Sequence, residues 1–298
     1  MKIVTVLPIF VLSAVRAEQV SPCLEALGHP GYASSDIALA TQAKLSSLAP
    51  FATKTLLMKI LCLQHDPLDG PGSLSEWAES KGHSIALCLI CEGAPLPSLE
   101  SFDLLVSLGG PMGAYEVEKY PWLTTEKEYL RQAAAAGKKL LGLCLGCQLL
   151  ADALGGKAFR HTCKEFGWQP IELTQDGIDW FGTMEMVQPL EAHEKAEFLA
   201  FQWHGDTYTL PPAAVHLARN EAAEQQAFLL EVPSGGKILG TQFHLEWTEQ
   251  MAREALAELG VAPPPSRYVQ TPEEILSDLT LFDYAKKRFF ALLDRLTE

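Results

Sequence analysis

Residues 139–156, KLLGLCLGCQLLADALGG, constrain the fold more than any other stretch of the chain. They open as an apolar run short enough for a buried strand and continue with spacing that suits a helix ending at Gly155. Cys144 falls at the corner between the two, with Gly142 and Gly146 two residues to either side. Such a corner, a nucleophile elbow, holds its central side chain on strained backbone, and the flanking glycines remove the Cβ atoms that would collide. The thiol is pushed out over the sheet edge, where the start of the helix favours thiolate and can also hold an oxyanion. The competing reading of Cys144 is a small buried core residue.

Upstream, 58–63 predicts a first apolar strand, and the turn residues of 64–72 a loop. Ser73 is placed to cap a helix carrying Leu74, Trp77 and Ala78 on one face and closed by Gly82. Strands are expected at 84–91 and 102–108, the latter running into Gly109-Gly110-Pro111-Met112-Gly113, then a helix over 126–136 ended by Gly137. Alternating strands and helices predict an α/β fold with a doubly wound, mostly parallel sheet flanked by helices. Sites in such sheets lie at the carboxyl ends of the strands, where Gly109-Gly110 and Cys144 both fall. Past Gly156, shorter candidate strands at 169–173 and 182–187 predict a mixed or antiparallel extension. Residues 200–208 contain Gln202-Trp203-His204-Gly205-Asp206, and a strand over 237–244 ends in Gln242-Phe243-His244-Leu245-Glu246. Thr271-Pro272-Glu273-Glu274 combines a capping box with proline at the first helical position. It predicts one last helix with an apolar stripe of Ile275, Leu279, Phe282, Phe289, Leu293 and Leu296.

The chain has 298 residues and a net charge of −14, which argues against nucleic acid or an anionic membrane as partner and leaves a small-molecule substrate. Seven cysteines, mostly inside apolar runs, fit free thiols in a reducing, cytoplasmic setting. Cys88-x-x-Cys91 and Cys144-x-x-Cys147 are not expected to bind zinc: the first pair lies in an apparent strand, where positions three apart face opposite ways. No metal or cofactor is called for. Residues 1–17 have the pattern of a secretory signal, yet Met58 reads as a fresh start leading straight into a strand. The expectation is an N-terminal extension over 1–57 outside the fold, an export signal being the alternative, and one catalytic domain over 58–298.

A cysteine nucleophile needs a base, and the base needs an orienting partner. His244 and Glu246, two apart in an extended segment, point to the same side, so the carboxylate can hold one imidazole nitrogen while the other faces Cys144. With Leu108-Gly109-Gly110-Pro111, Gly142-Leu143-Cys144-Leu145-Gly146-Cys147-Gln148 and Gln242-Phe243-His244-Leu245-Glu246 in this order, residues 58–298 resemble a class I, triad-type glutamine amidotransferase. Within that family they are similar to stand-alone relatives of the GMP synthase glutaminase domain, the Trp203-His204-Gly205-Asp206 stretch included. The resemblance implies that Cys144 attacks the glutamine side-chain amide, with His244 as acid and base and Glu246 orienting it. It also implies an oxyanion hole from the N–H groups of Gly110 and Leu145, and substrate contacts from Gln148, His204 and Asp206. A polar turn between strands is the alternative reading of His204 and Asp206. Cys147 is read as packing.

No phosphate-binding loop of the Walker type is visible, and some fifty residues after Glu246 are too few for a second catalytic domain, so any synthetase is expected to be a separate subunit. Two other readings compete. One keeps Cys144, His244 and Glu246 but cleaves γ-glutamyl peptides. The other is a non-catalytic regulatory module, against which the intact triad argues.

Overall fold

Each of the first strands sends alternate side chains to opposite faces of one sheet, and both faces are covered. The computed structural model describes residues 57–67, 69–182, 197–258, 264 and 266–298. The expected extension over 1–57 and the expected strand at 182–187 fall outside these, apart from Leu57 and Gly182. In chain order the elements are β1 (Lys59–Gln64), α1 (Leu74–Lys81), β2 (Ser84–Leu89), β3 (Leu104–Ser107), α2 (Trp122–Ala135), β4 (Lys139–Leu143) and α3 (Leu145–Ala153). There follow β5 (Lys157–Leu173), α4 (Gln175–Phe181), β6 (Glu197–Thr209), β7 (Val215–Arg219), β8 (Ala227–Glu231) and β9 (Lys237–Thr241). The chain closes with α5 (Glu249–Glu258), α6 (Pro272–Ile275) and α7 (Thr280–Thr297).

The strands form one nine-stranded sheet in the order β2-β1-β3-β4-β9-β8-β7-β5-β6. Its first five strands are parallel and the rest are joined antiparallel, so the expected parallel sheet with an antiparallel extension is what forms. Ile60 and Cys62 of β1 pack with Leu74 and Trp77 of α1 and with Phe282 and Phe289 of α7. Leu61 and Leu63 face the other way, towards Leu130 of α2 and Leu149 and Leu150 of α3. Full burial of a leucine-sized side chain stabilises the fold by about 1.5–3 kcal/mol, which makes these two layers the main support of the sheet. The Trp77 indole donates to Asp294 over 2.9 Å and ties α1 to α7.

Several boundaries differ from the expectations. β2 stops at Leu89, and Ile90–Glu92 form a 3-10 turn, so Cys91 leaves the strand that carries Cys88. Ser73 makes no side-chain cap on α1, although Gly82 does close it with φ 74°. Helix α2 begins at Trp122, just after Pro121, four residues before its expected start. The candidate strand at 169–173 is the tail of a much longer β5 paired with β6 along nearly its whole length, with a bulge between Arg160 and Glu165. The last helix is two. The capping box at Thr271 is present, with its side chain accepting from the Glu274 N–H at 3.2 Å and Glu274 accepting from the Thr271 N–H at 2.7 Å. The chain then breaks, and Asp278 accepts from the Thr280 N–H at 3.0 Å as α7 starts. Leu279, expected on the apolar stripe, sits at this break and is 38% exposed.

Candidate active site

The parallel half repeats the open-sheet order in which ligands bind beyond the carboxyl ends of the strands, near the point where strand order reverses. β1, β3, β4 and β9 all end there. A cavity of about 670 Å³ opens over them, lined by Gly110, Cys144, Leu145, Gln148, His204, Asp206 and His244 among others.

Cys144 forms the corner between β4 and α3 with φ 52° and ψ −106°, a conformation rare for a residue with a side chain. Crowding imposes the glycines beside it. A Cβ on Gly142 would stand 2.6 Å from the Gly146 carbonyl oxygen, and one on Gly146 would stand 1.9 Å from that of Ser107. The Cys144 N–H donates to Thr241 at the end of β9 over 2.9 Å, which ties the elbow to the strand leading to His244. Its sulfur accepts from the Gln242 amide at 3.6 Å and lies 3.9 Å from the Trp203 carbonyl oxygen.

His244 and Glu246 lie on the chain as it leaves β9. The Nδ1 of His244 and Oε1 of Glu246 are 2.5 Å apart, and both side chains are only 2% exposed. Burial pushes the imidazole pKa down, but the carboxylate and the nearby Cys144 sulfur outweigh it, and the result lies well above the ordinary histidine range. The Cys144 sulfur lies close enough to the ring to act on its charge, and Nε2 has no other partner among the described residues. In thiol and hydroxyl enzymes that contact commonly tightens only when substrate is bound. The His244 N–H donates to Phe201 of β6 over 2.8 Å, and Trp247 packs against the ring at 5.0 Å. Glu246 is held through its own carbonyl, which accepts from the Ser73 N–H at 2.9 Å. A Cβ on Gly72 would come within 2.2 Å of that carbonyl, so the loop before α1 closes over it only with glycine there.

Gly110 follows β3 and Leu145 opens α3. Among the described residues no acceptor takes up the N–H of either, and both line the cavity beside Cys144. Gln148 is 2% exposed and its amide is engaged internally, donating to Gln242 at 3.1 Å and to the Asp206 carbonyl at 3.3 Å. A relay Gln148 to Gln242 to the Cys144 sulfur results.

His204 and Asp206 are not in a turn. They lie within β6, because the long β5 supplies a partner strand that the short expected one did not. His204 places Nε2 3.0 Å from a Glu165 carboxylate oxygen, at angles that do not make a hydrogen bond, while Nδ1 lies 2.9 Å from the Asp206 carbonyl oxygen. Glu165 also accepts from Asn220 at 2.5 Å and from Gln226 at 2.7 Å. Burial raises the Asp206 carboxyl pKa against the lowering effect of the Tyr115 hydroxyl and Arg160. Cys147 is fully buried beside Gly240 and Tyr208, as expected of a packing residue. Among the described residues no group of histidine, cysteine and carboxylate side chains is arranged to hold a metal ion.

Three residues of the site escaped the sequence reading. Gln242 was visible inside its motif but carried no role. Asp69 lies in the loop after β1, close to Gly109 and to the His244 ring; burial pushes its carboxyl up to about 6, Glu246 adds to the rise and His244 opposes it. His65 is the third, buried beneath the Gly109-Gly110 loop. No local pattern announces contacts made across forty or more residues.

Residues 90–262 match the family model described as glutamine amidotransferase class-I. The glutamine amidotransferase-like protein YfeJ of Salmonella typhimurium is 28% identical over 250 residues, spanning 80% of this chain and 98% of its own. One subunit of the glutamine-hydrolyzing GMP synthase of Sulfurisphaera tokodaii is 28% identical over 160 residues, 53% of this chain and 74% of its own. Among solved structures, glutamine amidotransferases from Thermotoga maritima (TM-score 0.67, 28% identity) and Methylobacillus flagellatus (TM-score 0.71, 27% identity) each cover 80% of this chain. They are covered by it over 98% and 94% of their lengths.

Proposed function

Since the chain belongs to the class-I glutamine amidotransferase family, we propose that it hydrolyses the side-chain amide of glutamine to glutamate and ammonia. One observation carries the reading: a buried His244–Glu246 pair beside a cysteine on a strained elbow, with two unclaimed N–H groups on residues that line the same cavity.

The chemistry follows from those positions. His244 accepts the Cys144 proton, and the sulfur attacks the amide carbon. The carbonyl oxygen takes the electron pair and is held by the N–H groups of Gly110 and Leu145, each such donor being worth about 3 kcal/mol in the transition state. The imidazolium, kept protonated by Glu246, gives its proton to the leaving nitrogen, and ammonia departs from a γ-glutamyl thioester. Water, deprotonated by His244, then releases glutamate. Gln148, His204 and Asp206 border the space in which the amino-acid end of the substrate would sit. The name of the Sulfurisphaera relative, one subunit of a GMP synthase, supports a synthetase on a separate chain as the user of the ammonia.

A second substrate class has support in the cavity itself. At about 670 Å³ it falls in the range that buries drug-sized ligands, leaving room for γ-glutamyl peptides with a larger leaving amine. The deciding experiment incubates the protein with glutamine and with γ-glutamyl dipeptides, follows ammonia and free amine, and looks for the acyl adduct on Cys144 by mass spectrometry. Cys144→Ala and His244→Ala are expected to abolish release with the fold retained; full activity in Cys144→Ala would overturn the mechanism.

A further inference from the structure

Resting on the hydrolase reading, we propose that His65 is a positioning residue that aims the Gly110 N–H at the oxyanion. His65 follows β1 directly and is 0% exposed. Its Nδ1 lies 2.9 Å from the Gly109 carbonyl oxygen. That carbonyl and the Gly110 N–H belong to one peptide unit, and in a trans peptide the two point in opposite directions. No peptide bond among the described residues is cis. Drawing the carbonyl back onto His65 therefore turns the N–H of Gly110 towards the cavity.

Glu126 makes the arrangement one-way. Its carboxyl oxygens lie 3.0 and 2.8 Å from His65 Nε2, and one of them also accepts from the Ser107 hydroxyl at 2.7 Å. A carbonyl oxygen has no proton to give, so Nδ1 must be the donor to Gly109. This holds whether the proton shared with Glu126 rests on nitrogen or on oxygen, since Nδ1 keeps its hydrogen in both cases. Burial works to discharge the ring, yet Glu126 and the hydrogen bonds prevail and raise its pKa. Trp122 stacks on the ring at 5.5 Å with an interplanar angle of 8°, and a Cβ on Gly110 would stand 2.9 Å from the His65 Cβ. The ring cannot turn away and the loop cannot lift without losing these contacts. A buried pair of this kind is poor value for stability alone, as apolar residues of similar volume often do as well or better.

The test compares two double variants. His65→Leu/Glu126→Leu removes donor and carboxylate together, whereas in His65→Asn/Glu126→Gln the asparagine amide stands near the place of Nδ1 and can still donate to Gly109. If the double-leucine protein does not fold, His65→Phe/Glu126→Gln keeps a ring without a donor and takes its place. Deleting a whole oxyanion donor lowers kcat about 100- to 1,000-fold, so misaiming one is expected to lower it about 10- to 100-fold at nearly constant KM. The asparagine variant should stay within about fivefold of the parent on the same scale. Alkylation of Cys144 by iodoacetamide, which forms no oxyanion, should be equal in all. Propionaldehyde, which Cys144 captures as a tetrahedral adduct, should bind more weakly in step with kcat. Parent-like kcat or aldehyde binding in the donor-free variant overturns the proposal, as does an equal loss in the asparagine variant. A parent that releases neither ammonia from glutamine nor free amine from γ-glutamyl dipeptides refutes the hydrolase reading instead, and the aldehyde ratio then judges His65 alone.

Discussion

The elbow stores strain that a pair of substitutions can measure. Cys144→Ala and Cys144→Gly both delete the sulfur, so the step between them isolates the Cβ at φ 52°. At an ordinary buried position that step destabilises twice over: about 0.5–1 kcal/mol from the greater freedom of unfolded glycine and about 0.8 kcal/mol from the lost methyl contact. Ala133, fully buried within α2 and away from the cavity, supplies the control. Ala133→Gly is expected to cost about 1.5 kcal/mol on these grounds. A residue held in a sparsely populated backbone region carries about 1–3 kcal/mol of strain that glycine does not feel. At position 144 the relief offsets the two losses, and the Ala-to-Gly step should come out near zero. The difference between the two sites, about 1.5 kcal/mol, corresponds to about 3–6 °C in thermal midpoint for a domain of this size. Chemical denaturation and calorimetry of parent, Ala133→Gly, Cys144→Ala and Cys144→Gly read it directly. Equal losses at positions 133 and 144 would show that the elbow is relaxed and that the strain argument is wrong.

Two further outcomes follow from the charges of the site. Glu246→Gln keeps an acceptor for His244 Nδ1 but removes the charge that holds the imidazole pKa high. A charge-assisted hydrogen bond worth about 1.5–3 kcal/mol amounts to about one pKa unit or more, so the alkaline limb of the rate profile should shift towards acid by at least that much. kcat should fall about 100-fold or more, by analogy with the effect of the same change in serine triads; superimposable profiles would rule the pairing out. Asp69 has a folded pKa of about 6 against an ordinary 3.8, so folding favours its protonated form. That stabilisation is complete below the ordinary value and is lost as pH rises through about 6. Asp69→Asn should therefore melt above the parent at about pH 8 and together with it at about pH 3.5, and a pH-independent difference would contradict the assignment.

How much of this was legible beforehand depends on where the information sits. The elbow, the first four strands and the capping box at Thr271 are local patterns, and the structure keeps them all. The long β5–β6 ribbon was seen only in part, because residues 157–164 are mostly exposed on both sides of the strand and offer no apolar alternation. With the partner strand hidden, His204 and Asp206 looked equally like a turn. The terminal stripe ran straight through residues 276–279 because helical spacing says nothing of a chain that stops and restarts in phase. Glu246, His244 and Cys144 were legible as residue types in order, whereas His65 and Asp69 became part of the site only when the ends of β1, β3 and β9 were brought together.

β9 is where the two halves of the sheet are sewn. It runs alongside β4 with Leu140 opposite Ile238 and Leu143 opposite Thr241, and His244 hangs just past its last stitch. A shift of one residue along that seam would turn every β9 side chain to the wrong face. A shift of two restores the facing but carries the imidazole about 6.6 Å past the thiol, at about 3.3 Å per residue, which is beyond proton-transfer range. Mis-zipped molecules would thus be silent and not merely sluggish, and turnover measured on a preparation counts the fraction of chains that found the right notch.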